Sequence, residues 1–406
     1  MVKLPSDVNF IISTLEAAGH EAFAVGGCVR DIQRGVSPKD WDIATSATPS
    51  ETKALFSRTV DTGIKHGTIT VLLEKQPYEV TTYRIDGEYL DNRRPESVIF
   101  SSNINEDLGR RDFTMNAIAY NEHSGFVDPF GGQDDIAKKI IRCVGNAQER
   151  FAEDALRMLR AVRFAATTGF TVDGEILTAI KELRQNLANV SPERIREEMG
   201  KLICGSHPQA LELLESTGLM PFVLQGREYD GELTETIKKL QSIPPHEAMR
   251  LGIFLSWAGE NCEKILRDLR FDNKTIKETS QYVEFLPKPL PFSRYEIKKF
   301  LRILTPQIFE NLLTLKNNPE EIYNELKDIL SKNEPYLLKH LAINGKDLAE
   351  IEIPPGETMG EILENLLDAV LRDPSLDTKV KQLRWVLQHE CRSSFAKNTH
   401  NSDNLL

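Results

Sequence analysis

The sequence predicts an α+β chain: a head of α/β character, with a mixed β-sheet and helices over residues 1–147, followed by an all-helical remainder. Two observations carry this. Up to Gly145, short apolar runs of strand-like composition alternate with helix-like segments. From Gln148 to Leu406 nearly every segment reads as helix. Breaks fall near Gly169, residues 190–192, Gly205, Gly218, the proline-rich 287–292, Pro306, Pro319 and residues 353–356. No internal repeat of fixed period is evident.

Taken in order, residues 5–18 predict a helix with Phe10, Ile11, Leu15 and Ala18 apolar and Gly19 as its stop. Phe23, Ala24 and Val25 predict a strand that ends in a Gly26-Gly27 turn. A short helix with Arg30 and Asp31 follows, then a loop over 35–39 and a second strand bearing Asp40 and Asp42. Thr48 and Pro49 mark a helix start. Residues 69–74 and 78–84 predict a hairpin linked by Lys75-Gln76-Pro77. Residues 86–97 are polar and predict a mobile loop, and 116–120 predict a last strand before the segment FVDPFGGQDDI. Ser191 and Pro192 predict an N-cap and the first residue of a helix. The tail beyond Phe395 is polar.

Composition bounds the function class. Of 406 residues, 40% are hydrophobic and 27% charged, ordinary for a globular protein. No apolar run approaches the ~18 residues needed to cross a bilayer, and the N-terminus lacks the apolar core of a signal peptide. Five dispersed cysteines form no Cys-x-x-Cys pair, which predicts a reduced, cytoplasmic setting. A net charge of -11 argues against broad binding to polyanions, though local patches decide nucleic-acid partners. Residues 148–207 hold nine Lys/Arg and nine Asp/Glu, and 331–406 hold nine and twelve. Any nucleic-acid surface on either segment must therefore be one-sided.

Three constellations carry chemistry. Alone, Asp40 and Asp42 would be two solvated acids. Beside the Gly26-Gly27 turn and Arg30, two carboxylates on one strand face suit a triphosphate with magnesium between it and the protein. Glu79 on the following hairpin is a candidate third carboxylate. The glycine pair matches neither the dinucleotide fingerprint nor the phosphate loop. The run RRDFTMNAIAY (110–120) offers Arg110 and Arg111 as forked phosphate donors, with Asp112 and Asn116 to fix backbone or a ribose hydroxyl.

The third constellation is RFAEDALRMLRAVRFAATTGF (150–170). On one continuous helix at 100° per residue, Phe151, Ala155, Met158, Leu159, Val162, Ala165 and Ala166 share a face, and Asp154, Arg157, Arg160 and Arg163 take the opposite arc. Asp154 and Arg157 would then be i,i+3 neighbours, as in an ordinary surface salt bridge. A sharper reading starts from hydrogen-bond capacity. A carboxylate accepts only and a guanidinium donates only. Cytosine and adenine each show an amino donor beside a ring-nitrogen acceptor, whereas guanine and uracil show the reverse. An Asp–Arg pair can therefore take C or A and reject G and U.

The GG-x-VRD turn, the D-W-D pair, RRDFTMNA, EDALRMLRAVRF and SPERIREE (191–198), in this order, resemble the class II tRNA nucleotidyltransferases. These are the bacterial-type CCA-adding enzymes of the DNA polymerase β superfamily. The resemblance implies a head at 1–147, a neck at 148–207, a body at 208–310 and a tail at 311–406. It implies an enzyme that adds C, C and A to the 3′ end of tRNA from CTP and ATP. Asp40 and Asp42 would be the catalytic magnesium ligands. Gly27, Arg30 and Arg111 would bind nucleotide. Asp154 and Arg157 would template the base, and Arg160 and Arg163 would contact triphosphate. Body and tail would hold the tRNA acceptor and T arms, and a homodimer is a candidate assembly. Residues 86–94 resemble the flexible element that full CCA addition requires. SPERIREE is less informative, with Arg194 and Glu197 as candidate braces of the neck. Three rivals stand: a poly(A) polymerase of the same family, a CC-only enzyme, and a non-catalytic tRNA-binding protein.

Overall fold

The computed structural model describes residues 3–86, 98–317 and 320–400. The chain forms two compact units, 1–277 and 278–406.

The first unit opens with α1 (Ser6–Ala17), whose buried stripe is Val8, Ile11, Ile12 and Leu15. That i, i+3, i+4, i+7 spacing leaves Phe10 off the stripe and 53% exposed, contrary to the sequence expectation. There follow β1 (Ala22–Val25), α2 (Gly27–Gln33), β2 (Asp42–Thr45), α3 (Pro49–Leu55), β3 (Thr59–Gly63), β4 (Thr68–Leu73) and β5 (Gln76–Thr82). A separate ribbon pairs β6 (Arg84–Asp86) with β7 (Val98–Phe100). The predicted loop beginning at Asp86 lies, from residue 87 on, outside the described residues. Then come α4 (Ile104–Gly109), β8 (Ala119–Asn121), β9 (Gly125–Val127), α5 (Gly132–Lys138) and β10 (Ile140–Ile141).

Seven strands form one mixed sheet in the order β3-β4-β5-β2-β1-β8-β9. Only β2 and β5 run parallel. β1 is buried along its whole length, as its apolar sequence AFAV requires near the middle of a sheet. Phe23, Val25 and Ala44 pack with Tyr83, Leu108, Ala117 and Val144.

Two strand expectations are corrected. The β4–β5 hairpin turns at Glu74-Lys75, both with positive φ, so Gln76 and Pro77 belong to the strand. The last strand starts at Ala119, because Thr114–Asn116 form a 3-10 turn pinned by the Asn116 amide donating to Asp112 at 3.0 Å.

The helical stretch that follows contains α6 (Ala147–Glu153), α7 (Leu156–Thr168), β11 (Thr171–Val172), α8 (Gly174–Leu183) and α9 (Pro192–Ile203). It is not wholly helical: β10 and β11 pair in parallel. The expected single helix over 150–170 is two. Asp154 leaves helical geometry (φ -140, ψ 102), and its carboxylate accepts the Leu156 N–H at 3.1 Å. That local side-chain bond competes with helix continuation. The predicted apolar set (Phe151, Ala155, Met158, Leu159, Val162, Ala165, Ala166) is buried nonetheless. Pro192 starts α9, but the Ser191 side chain makes no capping bond. Arg250, 5% exposed, donates to the Ile203, Gly205, Ile243 and Pro244 carbonyls, tying the helix Glu247–Phe254 to the end of α9.

The second unit is helical. Its main helices include Arg294–Ile303, Pro306–Leu315, Glu320–Ser331, Glu357–Arg372 and Lys379–His400. Ile343, Leu348, Ile362, Leu366, Val370 and Val386 form a core. Among the described residues, no helix is long and apolar enough to cross a membrane.

Candidate nucleotide site

A cleft of about 570 Å³ lies between the sheet end of the head and helices α7 and α9. Of the nine residues singled out from sequence, Gly27, Arg30, Asp42, Arg111, Asp154, Arg157, Arg160 and Arg163 line it. Asp40 does not. It sits exposed in the bend before β2, so the two aspartates are not on one continuous strand. The cleft lining holds eight cationic side chains against the three acids Asp42, Asp112 and Asp154, in a chain whose net charge is -11. Basicity is thus concentrated where a polyphosphate would sit.

The carboxylate end is built by strand register. Asp42 is opposite Val25 on β1 and opposite Glu79 on the parallel strand β5. Asp42 opens to solvent, yet the protein packed around it raises its pKa; Arg111 opposes the rise and Asp40 adds to it. Glu79 is raised as well, first by burial and then by Asp42 and Asp40. The three acids feel one another as like charges, the condition a bound divalent cation relieves. Among the described residues no three His, Cys, Asp or Glu side chains form a ready metal cage. The donor set therefore fits a hard cation that draws part of its oxygen shell from water and a substrate phosphate, as magnesium does.

Gly26 makes the turn into α2 possible. Its φ of 75 and ψ of -126 suit glycine, and a Cβ there would meet Arg111 Nη1 at 2.8 Å. Arg30, one turn on, donates to Asn116 at 2.7 Å and to Asp31 at 3.0 Å.

The cationic end is braced from behind. Asp107 accepts from Arg110 at 2.7 Å and from Arg111 at 3.1 Å. Burial works against its charge, but the two arginines hold its pKa below the ordinary value. Asp112 is buried too; Arg160 at 2.6 Å and the Asn116 amide outweigh its desolvation and hold its pKa far down. Glu198 on α9 accepts from Arg163 Nε at 2.7 Å and Arg160 Nη1 at 3.4 Å. The Phe164 ring lies 3.5 Å from the Arg163 guanidinium carbon, with Arg30 and Arg160 at 5.1 and 5.4 Å.

Asp154 and Arg157 reach the same cleft, but not as the expected helical pair. Arg194 grips the Asp154 carboxylate with two bonds, 2.7 and 3.1 Å. Arg157, buried, donates to Glu153 at 2.7 Å and to the Arg110 carbonyl at 2.9 Å. Glu198, Phe164, Lys201 and Asp107 were not found from sequence. The spacing of Glu198 from Arg194 (i, i+4 on α9) was the one available signal. Glu197, a candidate brace, is an exposed side chain paired at 3.8 Å with Arg196.

The described cysteines 28, 143, 204 and 262 form no disulfide. Cys28, beside Asp42, is pushed up to about 11 by burial, which leaves it an unreactive core residue.

Residues 22–142 match the family described as "Poly A polymerase head domain". Residues 169–229 match the family described as "Probable RNA and SrmB- binding site of polymerase A", and 249–383 match a family described as tRNA nucleotidyltransferase domain 2. The chain is 39% identical over 389 residues to the CCA-adding enzyme of Geobacillus thermodenitrificans, covering 93% of this chain and 95% of that one. It is 40% identical over 390 residues to that of Lactiplantibacillus plantarum, covering 91% and 94%. The crystal structure of the Bacillus stearothermophilus CCA-adding enzyme in complex with CTP is 31% identical, with a TM-score of 0.84 over 97% of this chain and 100% of that one. Sequence identity of 39% held over 93% of this chain, and a fold of N-terminal mixed sheet and helical remainder matched over 97% of it, make it a member of the class II CCA-adding enzymes, the tRNA nucleotidyltransferases with a poly A polymerase head.

Proposed function

We infer that this chain adds C, C and A to the 3′ end of tRNA, using CTP and ATP. The observation that carries the reading is the cleft itself, in which the Asp42 carboxylate, a fork of arginines and the Asp154/Arg157/Arg194 group open onto one space. In each cycle the tRNA 3′ oxygen attacks the α-phosphorus of the nucleoside triphosphate. The bond from that phosphorus to the β-bridging oxygen breaks, and pyrophosphate leaves.

Asp40 and Asp42, with Glu79 behind them, are the residues that would hold Mg2+. When bound, that ion neutralises phosphate charge and lowers the pKa of the attacking hydroxyl. Arg30, Arg111, Arg160 and Arg163 neutralise the triphosphate and fix its direction. Asp154 accepts from the amino group of C or A and Arg157 donates to the ring nitrogen. This requires Arg157 to turn from Glu153 toward the base when nucleotide enters. Head (1–147), neck (148–207), body (208–310) and tail (311–406) are proposed as functional divisions, with body and tail binding the tRNA acceptor and T arms by shape and phosphate contacts.

The deciding experiment incubates the protein with tRNA lacking CCA, plus labelled CTP and ATP. A three-nucleotide CCA product supports the reading. Long A tails without C identify a poly(A) polymerase, and a product that stops at CC identifies a CC-only enzyme. Asp40→Ala with Asp42→Ala removes incorporation and spares tRNA binding. Unchanged incorporation refutes the metal assignment.

A further inference from the structure

Arg163 is held in a way its neighbours are not. Its Nε donates to Glu198 at 2.7 Å. The flat face of its guanidinium lies on the Phe164 ring, with the central carbon 3.5 Å from the centroid. Those two contacts fix one edge and one face of a planar group. Neither contact uses its two terminal nitrogens, and Arg163 lines the cleft. Arg160 differs: Asp112 takes its Nε and Nη2 and Glu198 meets its Nη1, so all three of its nitrogens are engaged.

Glu198 is 4% exposed and lies behind both arginines rather than among the groups lining the cleft. A carboxylate this buried is costly unless it is paired and hydrogen-bonded. Its two oxygens are divided, one to each arginine. Burial pulls the Arg163 pKa down and Glu198 pulls it back up. Without Glu198, a half-buried guanidinium would be left with an aromatic face and no fixed direction.

We propose that Glu198, together with Phe164, is a positioning residue that aims the Arg163 fork at the substrate triphosphate. The proposal rests on the reading of the cleft as a nucleoside-triphosphate site. Glu198 does not touch substrate. It orients Arg163 so that both terminal nitrogens meet phosphate oxygens at once, which a free arginine achieves only after losing side-chain entropy. Because the contact is to phosphate, the effect is blind to the base: CTP and ATP respond alike, and the choice against UTP and GTP is untouched.

The test uses Glu198→Gln, Glu198→Asp, Arg163→Ala and the double variant Glu198→Gln/Arg163→Ala in the full-length protein. Incorporation into tRNA lacking CCA is read beside equilibrium binding of inorganic tripolyphosphate. Glu198→Gln raises KM for CTP and for ATP by a common factor of about ten, the worth of one charge-assisted hydrogen bond. It leaves kcat within about twofold and weakens tripolyphosphate binding by a similar factor. Glu198→Asp restores part of the loss. In the Arg163→Ala background, Glu198→Gln adds nothing further. The proposal is overturned by an unchanged KM, by a change confined to one nucleotide or to base selectivity, or by full multiplication of the two effects in the double variant. If the wild type fails to extend tRNA, the functional reading fails, while the tripolyphosphate comparison still decides the role of Glu198. Should Glu198→Gln not fold, Phe164→Leu, which removes the face contact and keeps the ion pair, must show the same common rise in KM. Its absence counts against the proposal.

Discussion

Arg194 on α9 clasps both oxygens of Asp154 at 2.7 and 3.1 Å, across forty residues of sequence. The carboxylate expected to read a base is thus held by a planar fork on another helix. Oδ1 accepts from Arg194 and from the Leu156 N–H, so the acceptor capacity left for a nucleobase amino group is the second lone pair of Oδ2.

Loss of this clasp is expected to blur the choice of base. Arg194→Ala frees Asp154 to rotate, and the cost of an unpaired buried acceptor no longer falls on the wrong base alone. Incorporation of UTP relative to CTP into tRNA lacking CCA should rise about tenfold. Arg194→Lys should not restore the ratio, since a single ammonium cannot make the two-point contact. A ratio unchanged in both variants would show that the clasp is structural only.

Glu79 should behave as a supporter of the metal-binding carboxylates. It stands opposite Asp42 in the β2–β5 register, and desolvation, then the charges of Asp42 and Asp40, raise its pKa. Glu79→Gln is expected to raise the magnesium concentration needed for half-maximal incorporation by roughly 10-fold, the lower end of the range seen for groups that orient metal ligands. Titration of activity with MgCl2 checks this, and an unshifted curve removes Glu79 from the site.

Asp112 predicts a pH dependence of stability. Its folded pKa is depressed, so its contribution is fully present above the unfolded value of about 3.9 and is lost as pH falls below it. Asp107, also depressed, acts in the same window. Between pH 7 and 5 these two groups should leave stability flat, with a fall below pH 4. Asp112→Asn removes one partner of a buried ion pair and should cost about 3 kcal/mol at pH 7, with a shallower acid limb. Urea unfolding at pH 7 and at pH 3.5 measures both effects.

Gly26→Ala should impair the head without removing a polar group. The new Cβ must sit 2.8 Å from Arg111 Nη1, on a backbone with φ of 75 and ψ of -126. A loss of about 1–3 kcal/mol is expected, read as a lower thermal midpoint, together with a higher KM for CTP as Arg111 is displaced. Gly35→Ala is a control for positive φ without crowding, since nothing lies near its Cβ position.

Local rules made much of this legible. The Gly26 turn, the buried stripe of α7 and the hairpin of β4 and β5 follow from periodicity and turn chemistry. The change at Gly145 announced the helical remainder. What failed depended on partners distant in sequence. EDALR contains both ends of the local Asp154–Leu156 bond, but nothing in it announces the Arg194 clasp that holds Asp154 out of the helix. Likewise Glu198 reads as one more acid on a charged helix until α9 lies against α7. The β10–β11 pair was invisible because two-residue strands have no periodicity to detect.

That small pair has a consequence for dissection of the gene. Ile140–Ile141 at the end of the head finds its strand partner in Thr171–Val172, beyond α7, and Phe113 in the head meets Phe164 on α7 edge to face at 5.6 Å. The first 147 residues are therefore not a portable cassette. A fragment cut there would expose an unsatisfied edge and an aromatic ring at once, so swaps of the polymerising half between relatives should place their junction after α9.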